Sequence, residues 1–267
     1  MALITNEMRS EFKDKAAPYK VSITQAQAKE KDMQALAHRE KEGVEYKKLQ
    51  LAEHAMYIAT LYLSVNDISV HVIDAKNNDA LNDARKALYK AIIYLEEVVS
   101  NAVDCPYSEL ADRQEAIKDV PLERRFYLVR KLGLGIRMLS DAFGDNTKWK
   151  WSIVDLEGRY AVVAKNFIDM KAASKDYFEP SSPAYDTTVL YVRLVKKLLE
   201  QSATEFRDKY ELSSRRIDDM RMGINFLMAL RRVAMVLGDK DDAEEIKKKA
   251  TVWKDKMEAD KKAGSSN

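Results

Sequence analysis

The sequence predicts an all-α protein: an elongated antiparallel bundle of stacked helical hairpins, about eight or nine helices in all. Three observations lead there. Glycine and proline are scarce, eight and five in 267 residues, against roughly 12% in average proteins. Charged residues reach 33%, which suits long helices with solvated faces. Apolar residues recur three and four apart over most of the chain, and no stretch reads as a strand.

At the N-terminus the pattern predicts a short helix from Glu7 to Lys15, stopped near Pro18, because proline lacks the backbone donor a helix interior needs. Ser22 and Gln25 have capping-box spacing, so a second helix is expected to start there. It runs from 22 to 45, and from Lys29 to Glu45 it is mostly charged, with apolar support only from Met33, Leu36 and Val44. It is expected to protrude from the core, with an interruption at Gly43.

Leu49, Ala52, Met56, Ala59, Leu63, Asn66, Val70 and Ile73 then follow a 3-4-3-4 spacing. Leu51, Ala55, Ile58, Tyr62, Val65 and Val72 form a parallel stripe. Two adjacent stripes make a wide apolar face, so this helix should be central. Asn77, Asn78 and Asp79 predict a turn and cap. Leu81, Ala84, Leu88, Ala91, Leu95, Val98 and Ala102 mark a helix folded back on it, ended by Cys105-Pro106.

A short helix is expected from Ser108 to Ile117, and Asp119 with Pro121 opens the next, from Pro121 to Phe143. That helix carries Leu128, Leu132, Leu139 and Ala142 on one side. Gly133 and Gly135 within it each cost about 1 kcal/mol relative to Ala, and close helix approach is one reason to keep them. Beyond Gly144-Asp145, Ile153, Leu156, Tyr160, Val163, Phe167 and Met170 define another helix. Glu179-Pro180-Ser181-Ser182-Pro183 is the clearest break. Val192, Val195, Leu199, Ser202 and Phe206 follow, then a helix begun by Ser213 or Ser214 with Ile217, Met220, Ile224, Leu227, Leu230, Ala234 and Leu237. Gly238 fits its C-terminus. The last helix carries Ala243, Ile246, Ala250, Trp253 and Met257.

The expected organisation is a short helix and linker at 1–21, a main bundle at 22–178, C-terminal hairpins at 186–262 packed on it, and a disordered tail at 263–267. Leu227, Leu230, Gly238-Asp239, Ala243 and Ala250 partly resemble a tetratricopeptide-type hairpin. That family repeats every 34 residues, whereas the Gly-Asp turns at 144 and 238 lie 94 apart, so two helices joined by a turn is the better description. Phe126-Tyr127-Leu128 with Arg137 and Gly144-Asp145 resembles one helix of the 14-3-3 phosphopeptide-binding proteins. The basic residues those proteins use have no matching motif here, and no binding residue is carried over.

Lys and Arg number 45 against 43 Asp and Glu. A balance so near neutral makes a nucleic-acid binder unlike this chain. No run of eighteen apolar residues predicts a membrane span. The start Met-Ala-Leu-Ile-Thr-Asn-Glu lacks the basic-then-apolar order of a secretion signal, so a cytoplasmic protein is expected. A chain already trimmed of its signal has the same appearance. The single cysteine, Cys105, excludes an internal disulfide and a zinc cluster of its own.

Chemical motifs are sparse. Ala35, Leu51 and Ile68 stand three before His38, His54 and His71, so the Glu-x-x-His pairs of a di-iron bundle are missing. Gly133-Leu-Gly-Ile-Arg-Met lacks the third glycine of a dinucleotide loop and follows no strand. Glu96-Glu97 is an acidic pair, and Asp241-Asp242-Glu244-Glu245 sits where a helix start favours negative charge. Basic clusters at Arg124-Arg125, Arg130-Lys131, Arg215-Arg216, Arg231-Arg232 and Lys247 to Lys249 are interleaved with acids and read as solvated faces.

With no catalytic motif and no cofactor or metal site expected, the reading is a non-catalytic structural or protein-interaction protein. It would act by helix-face packing on a protein partner, on further copies of itself, or on both. The interface candidates are Leu36, Trp149, Trp151, Arg215 and Arg216, the tryptophans and arginines because such residues anchor interfaces. The alternatives are a metal or cofactor carrier, or an enzyme, with its site inside the bundle, and a binder of anions, phosphoproteins or nucleic acid through the arginine pairs.

Overall fold

The computed structural model describes residues 5–40, 42–144 and 148–264. Among them are ten α-helices and no strand, so the all-α prediction holds. In order they are α1 (Asn6–Arg39), α2 (Val44–Ile73), α3 (Asn78–Val99), α4 (Ala111–Ala116) and α5 (Leu122–Phe143). Then come α6 (Lys150–Phe167), α7 (Met170–Asp176), α8 (Tyr185–Lys209), α9 (Ile217–Val236) and α10 (Lys240–Gly264). They form two compact units, one of Met1–Val98 with Tyr127–Ile153, the other of Val99–Phe126 with Val154–Asn267. The Pro180 to Pro183 loop lies inside the second unit. Asp145, half of the expected Gly144-Asp145 turn, and tail residues 265–267 fall outside the described residues.

The first unit departs most from expectation at α1. Pro18 does not stop the helix but sits within it, and Ser22 and Gln25 are interior residues rather than a cap. The real cap is Thr5, whose Oγ1 accepts from the Met8 N–H at 3.2 Å. Losing one backbone bond at Pro18 costs on the order of 3 kcal/mol, offset by burial of Ala16, Ile23 and Ala26 on either side. Nor does the charged 22–45 stretch protrude. The Ala26 carbonyl bonds the His54 ring at 2.8 Å, and Gln27 donates to the Tyr62 hydroxyl at 3.0 Å, which lays α1 along α2. Glu30 is buried on that side, accepting from Lys90 Nζ at 2.9 Å and the Tyr94 hydroxyl at 3.2 Å. Two alanines, one isoleucine and a buried glutamate carry too little apolar signal to announce a core face.

α1 ends at Arg39, and Gly43, at φ +62°, starts α2 in the left-handed conformation that glycine tolerates. Both expected stripes of α2 are largely buried. α2 is the one described helix long and apolar enough to cross a membrane by length and composition, and its central place in this unit accounts for that composition. Asn66, also buried, accepts the Asn77 N–H at 2.9 Å, while Asn77 Oδ1 caps α3 through the Ala80 N–H at 3.0 Å. α3 runs back antiparallel, with Glu97 reaching Lys48 at 3.1 Å. It ends at Val99 rather than at Cys105-Pro106, leaving Ala102 in a loop, because Ser100 turns left-handed at φ +83°. The Tyr127–Phe143 part of α5 completes the unit. A Cβ on Gly135 would lie 3.1 Å from Leu88 Cδ2, the close approach that its glycine suggested.

In the second unit α8, α9 and α10 make a three-helix bundle. Lys209 pairs with Asp219 at 3.1 Å, and Arg231 with Glu244 at 3.8 Å, so each neighbour runs antiparallel. α10 closes on α8 through Lys196–Asp242 at 2.6 Å and Tyr210–Asp260 at 2.6 Å. Gly238, at φ +74°, turns the chain between α9 and α10 as expected. α6 packs on α8 near Phe206, whose ring approaches Gly158. Met170 begins α7 instead of continuing α6, because Asp169 caps α7 through the Lys171 and Ala172 N–H groups.

Candidate partner-binding face

α5 is apolar on two sides. Leu128, Val129, Leu132, Ile136, Leu139 and Phe143 are buried. Off that stripe, Tyr127, Leu134 and Met138 are 52%, 59% and 39% exposed. They stand seven and four residues apart, so they lie along one line of the helix surface. All three belong to the first unit. Arg130 and Arg137 are exposed beside them, at the same seven-residue interval. Lys131 is fixed along the edge of the line, bonding Glu53 of α2 at 3.0 Å with its Nζ 5.9 Å from the centre of the Tyr127 ring. Asp141 is 3.8 Å from Arg137. An apolar line of Tyr, Leu and Met beside arginines has the composition of an interface core with a basic rim.

The residues selected from sequence lie elsewhere. Leu36 is 47% exposed near the end of α1. Trp149 is half-buried, its ring 5.6 Å from Phe143 and under the Arg85 guanidinium at 4.8 Å. Trp151, also half-buried, lies beside Lys150 in the first turn of α6. Arg215 and Arg216 are exposed in the second unit, just before α9. Sequence reasoning passed over Tyr127, Leu134 and Met138, although their spacing was a second stripe like the one used to place α2.

Within the second unit the notable groups are buried and polar. Arg125 is almost wholly enclosed and donates to the carbonyls of Ile117, Val120 and Phe167 and to Gln114 Oε1. Arg232 holds Asp104 through two bonds of 2.8 and 3.2 Å. Two members of the basic clusters are thus structural. Lys165 is 1% exposed, and its Nζ lacks a hydrogen-bond partner. Burial pulls the Lys165 ammonium below its usual range and pushes the Tyr107 phenol above its own. Burial, reinforced by the neighbouring Glu205 charge, pushes Glu157 up to about 8.

His38 and His71 are exposed, and His54 is held by the α1 backbone. Among the described residues no cluster of three metal-binding side chains occurs. Asp241 and Asp242 occupy the first turn of α10, where Asp239 accepts the Asp242 N–H at 3.2 Å.

Fold and surface therefore describe an all-α helical-bundle protein carrying an exposed apolar line on one helix. The chain belongs to the TP0443 family, whose model matches residues 8–261. No curated protein and no solved structure matches it.

Proposed function

We propose that the protein is a non-catalytic interaction module that recruits a protein partner through the outer face of α5. The observation that carries this reading is the exposed line Tyr127, Leu134 and Met138 with Arg130 and Arg137 alongside. Its chemistry fits an amphipathic helix with an acidic rim, laid along α5 as one helix on another. The apolar side chains supply affinity, while the arginines select an acidic partner and set its register. A second copy of the chain is the competing occupant, and the scaffold or assembly role belongs to the same proposal. A cytoplasmic location is also proposed, supported by a buried free thiol at Cys105, which suits a reducing compartment.

The test is Leu134→Asp, with light scattering for assembly state and co-purification of the partner from native cells. Loss of one specific complex, with helicity and thermal midpoint retained, is expected. An unchanged set of complexes contradicts the proposal. Loss of self-association alone assigns the face to a second copy.

A further inference from the structure

A cavity of about 640 Å³ opens in the second unit between the 107–125 segment and α7. That size lies within the range of small-molecule sites. Its walls combine the apolar Leu110, Val120, Ile168 and Met170 with three cationic and three carboxylate side chains, Lys118, Arg125 and Lys171 against Glu115, Asp169 and Asp176. Tyr107 belongs to this wall and also to a second, enclosed environment. Its ring lies 5.9 Å from Lys165 Nζ, and its hydroxyl is buried without a partner, as is that Nζ. Phenol and ammonium share the same charged neighbours, Asp104 and Arg232, with the Cys105 thiol beside them. Two buried donors without an acceptor are costly, the charged one most of all. Arg232 already holds Asp104 through two bonds, so a Lys165 ammonium has no carboxylate bonded to it. An acceptor bearing negative charge is the group that would answer both donors.

We propose that this pocket binds an amphipathic carboxylate, its chain against Leu110, Val120, Ile168 and Met170 and its head on Lys165 and Tyr107. Lys165 lies outside the cavity wall, so binding requires the Tyr107 ring, at the start of the single 3₁₀ turn Tyr107–Leu110, a weakly bonded element, to swing aside and admit the carboxylate. The head then accepts from the Lys165 ammonium and the Tyr107 O–H. The apolar part of the wall favours a hydrocarbon chain, and the balanced charges around it give a bare anion no net attraction. This site is independent of the α5 face.

Calorimetry with decanoate tests the idea against 1-decanol, which has the chain without the charge, and inorganic phosphate, which has charge without the chain. Decanoate is expected to bind at least about tenfold more tightly than decanol, as a charge-assisted bond requires, and phosphate to give no binding. Lys165→Met removes that advantage and leaves decanol unchanged, and Tyr107→Phe weakens decanoate several-fold. Should Lys165→Met not fold, titrations of the unaltered protein at alkaline pH in two buffers of different ionisation heat decide. Decanoate must then draw in a proton as Lys165 regains its charge. Equal affinity for decanoate and decanol, phosphate binding without decanoate binding, full decanoate binding by Lys165→Met, or binding without proton uptake overturns the proposal.

Discussion

Glu157 on α6 and Glu205 on α8 are neighbouring carboxyl groups, close enough for the charge of Glu205 to disfavour a second one on Glu157. Gln201 donates to Glu205 at 2.8 Å and fixes its orientation. Burial first, then the Glu205 charge, raises Glu157 from its ordinary 4.5 to about 8. A carboxyl raised on folding binds its proton more tightly in the native state. Its stabilising effect is complete below about pH 4.5 and is lost as pH rises through about 8. The expected loss is roughly a few kcal/mol. Glu157→Gln keeps the side chain's shape without a group that titrates, so its thermal midpoint should fall less than that of the parent between pH 5 and pH 8. Parallel curves for the two proteins contradict a Glu157 that holds its proton to about pH 8.

Gly158 and Gly135 both sit inside helices, yet adding a methyl group to each has different consequences. At Gly158 the new Cβ lies 2.6 Å from Phe206 Cε2 and 3.3 Å from Phe226 Cζ. Those rings are buried and packed on each other at 5.5 Å, so neither yields. Gly158→Ala should cost about 1–3 kcal/mol despite its gain in helix propensity. At Gly135 the neighbour is the flexible end of Leu88, and Gly135→Ala should stay within about 1 kcal/mol of the parent. Urea unfolding gives the order, and a larger loss at Gly135 is inconsistent with this packing.

Arg125 ties three backbone carbonyls and Gln114 together through three guanidinium nitrogens, at 2.6 to 3.2 Å. A lysine ammonium is a point donor and cannot span that set. Arg125→Lys should therefore lower stability by about 2–4 kcal/mol, since it leaves buried carbonyls unpaired. The exposed neighbour Arg124 serves as control, with Arg124→Lys expected within about 0.5 kcal/mol. Comparable losses in chemical denaturation would remove Arg125 from its structural role.

Pro18 is exposed in the interior of α1. Pro18→Ala restores a donor to the Asp14 carbonyl and relieves the ring's clash with it, and should raise stability by about 1–3 kcal/mol. Slower amide exchange around 14–22 is the accompanying sign. A destabilised variant with faster exchange there means that the break is needed.

Much of the fold was legible because α2, α3, α8 and α9 bury long aliphatic side chains at helical spacing, and Asn77 and Gly238 have chemistry that marks helix ends. α1 was misread for the opposite reason. Its buried side is built from Ala16, Ile23, Ala26 and Glu30, with a single large aliphatic side chain, and a proline outweighs such a pattern until tertiary contacts are counted. The buried Lys165, Arg125 and Glu157 resemble any solvated charge in a helix, since burial depends on neighbours distant in sequence. The α5 face was legible in principle. Tyr127, Leu134 and Met138 exceed what one core stripe needs, and an unassigned second stripe is a signal in its own right.

The central claim is that α5 offers its outer face to a partner. A photo-crosslinking residue placed in turn at 127, 134 and 138, and at the exposed Val252 of α10 as control, tests it in native cells. The account predicts one and the same discrete adduct from all three α5 positions, weakened when Arg130 and Arg137 are changed to Glu, and none from 252. Adducts no more frequent at α5 than at 252 would contradict it.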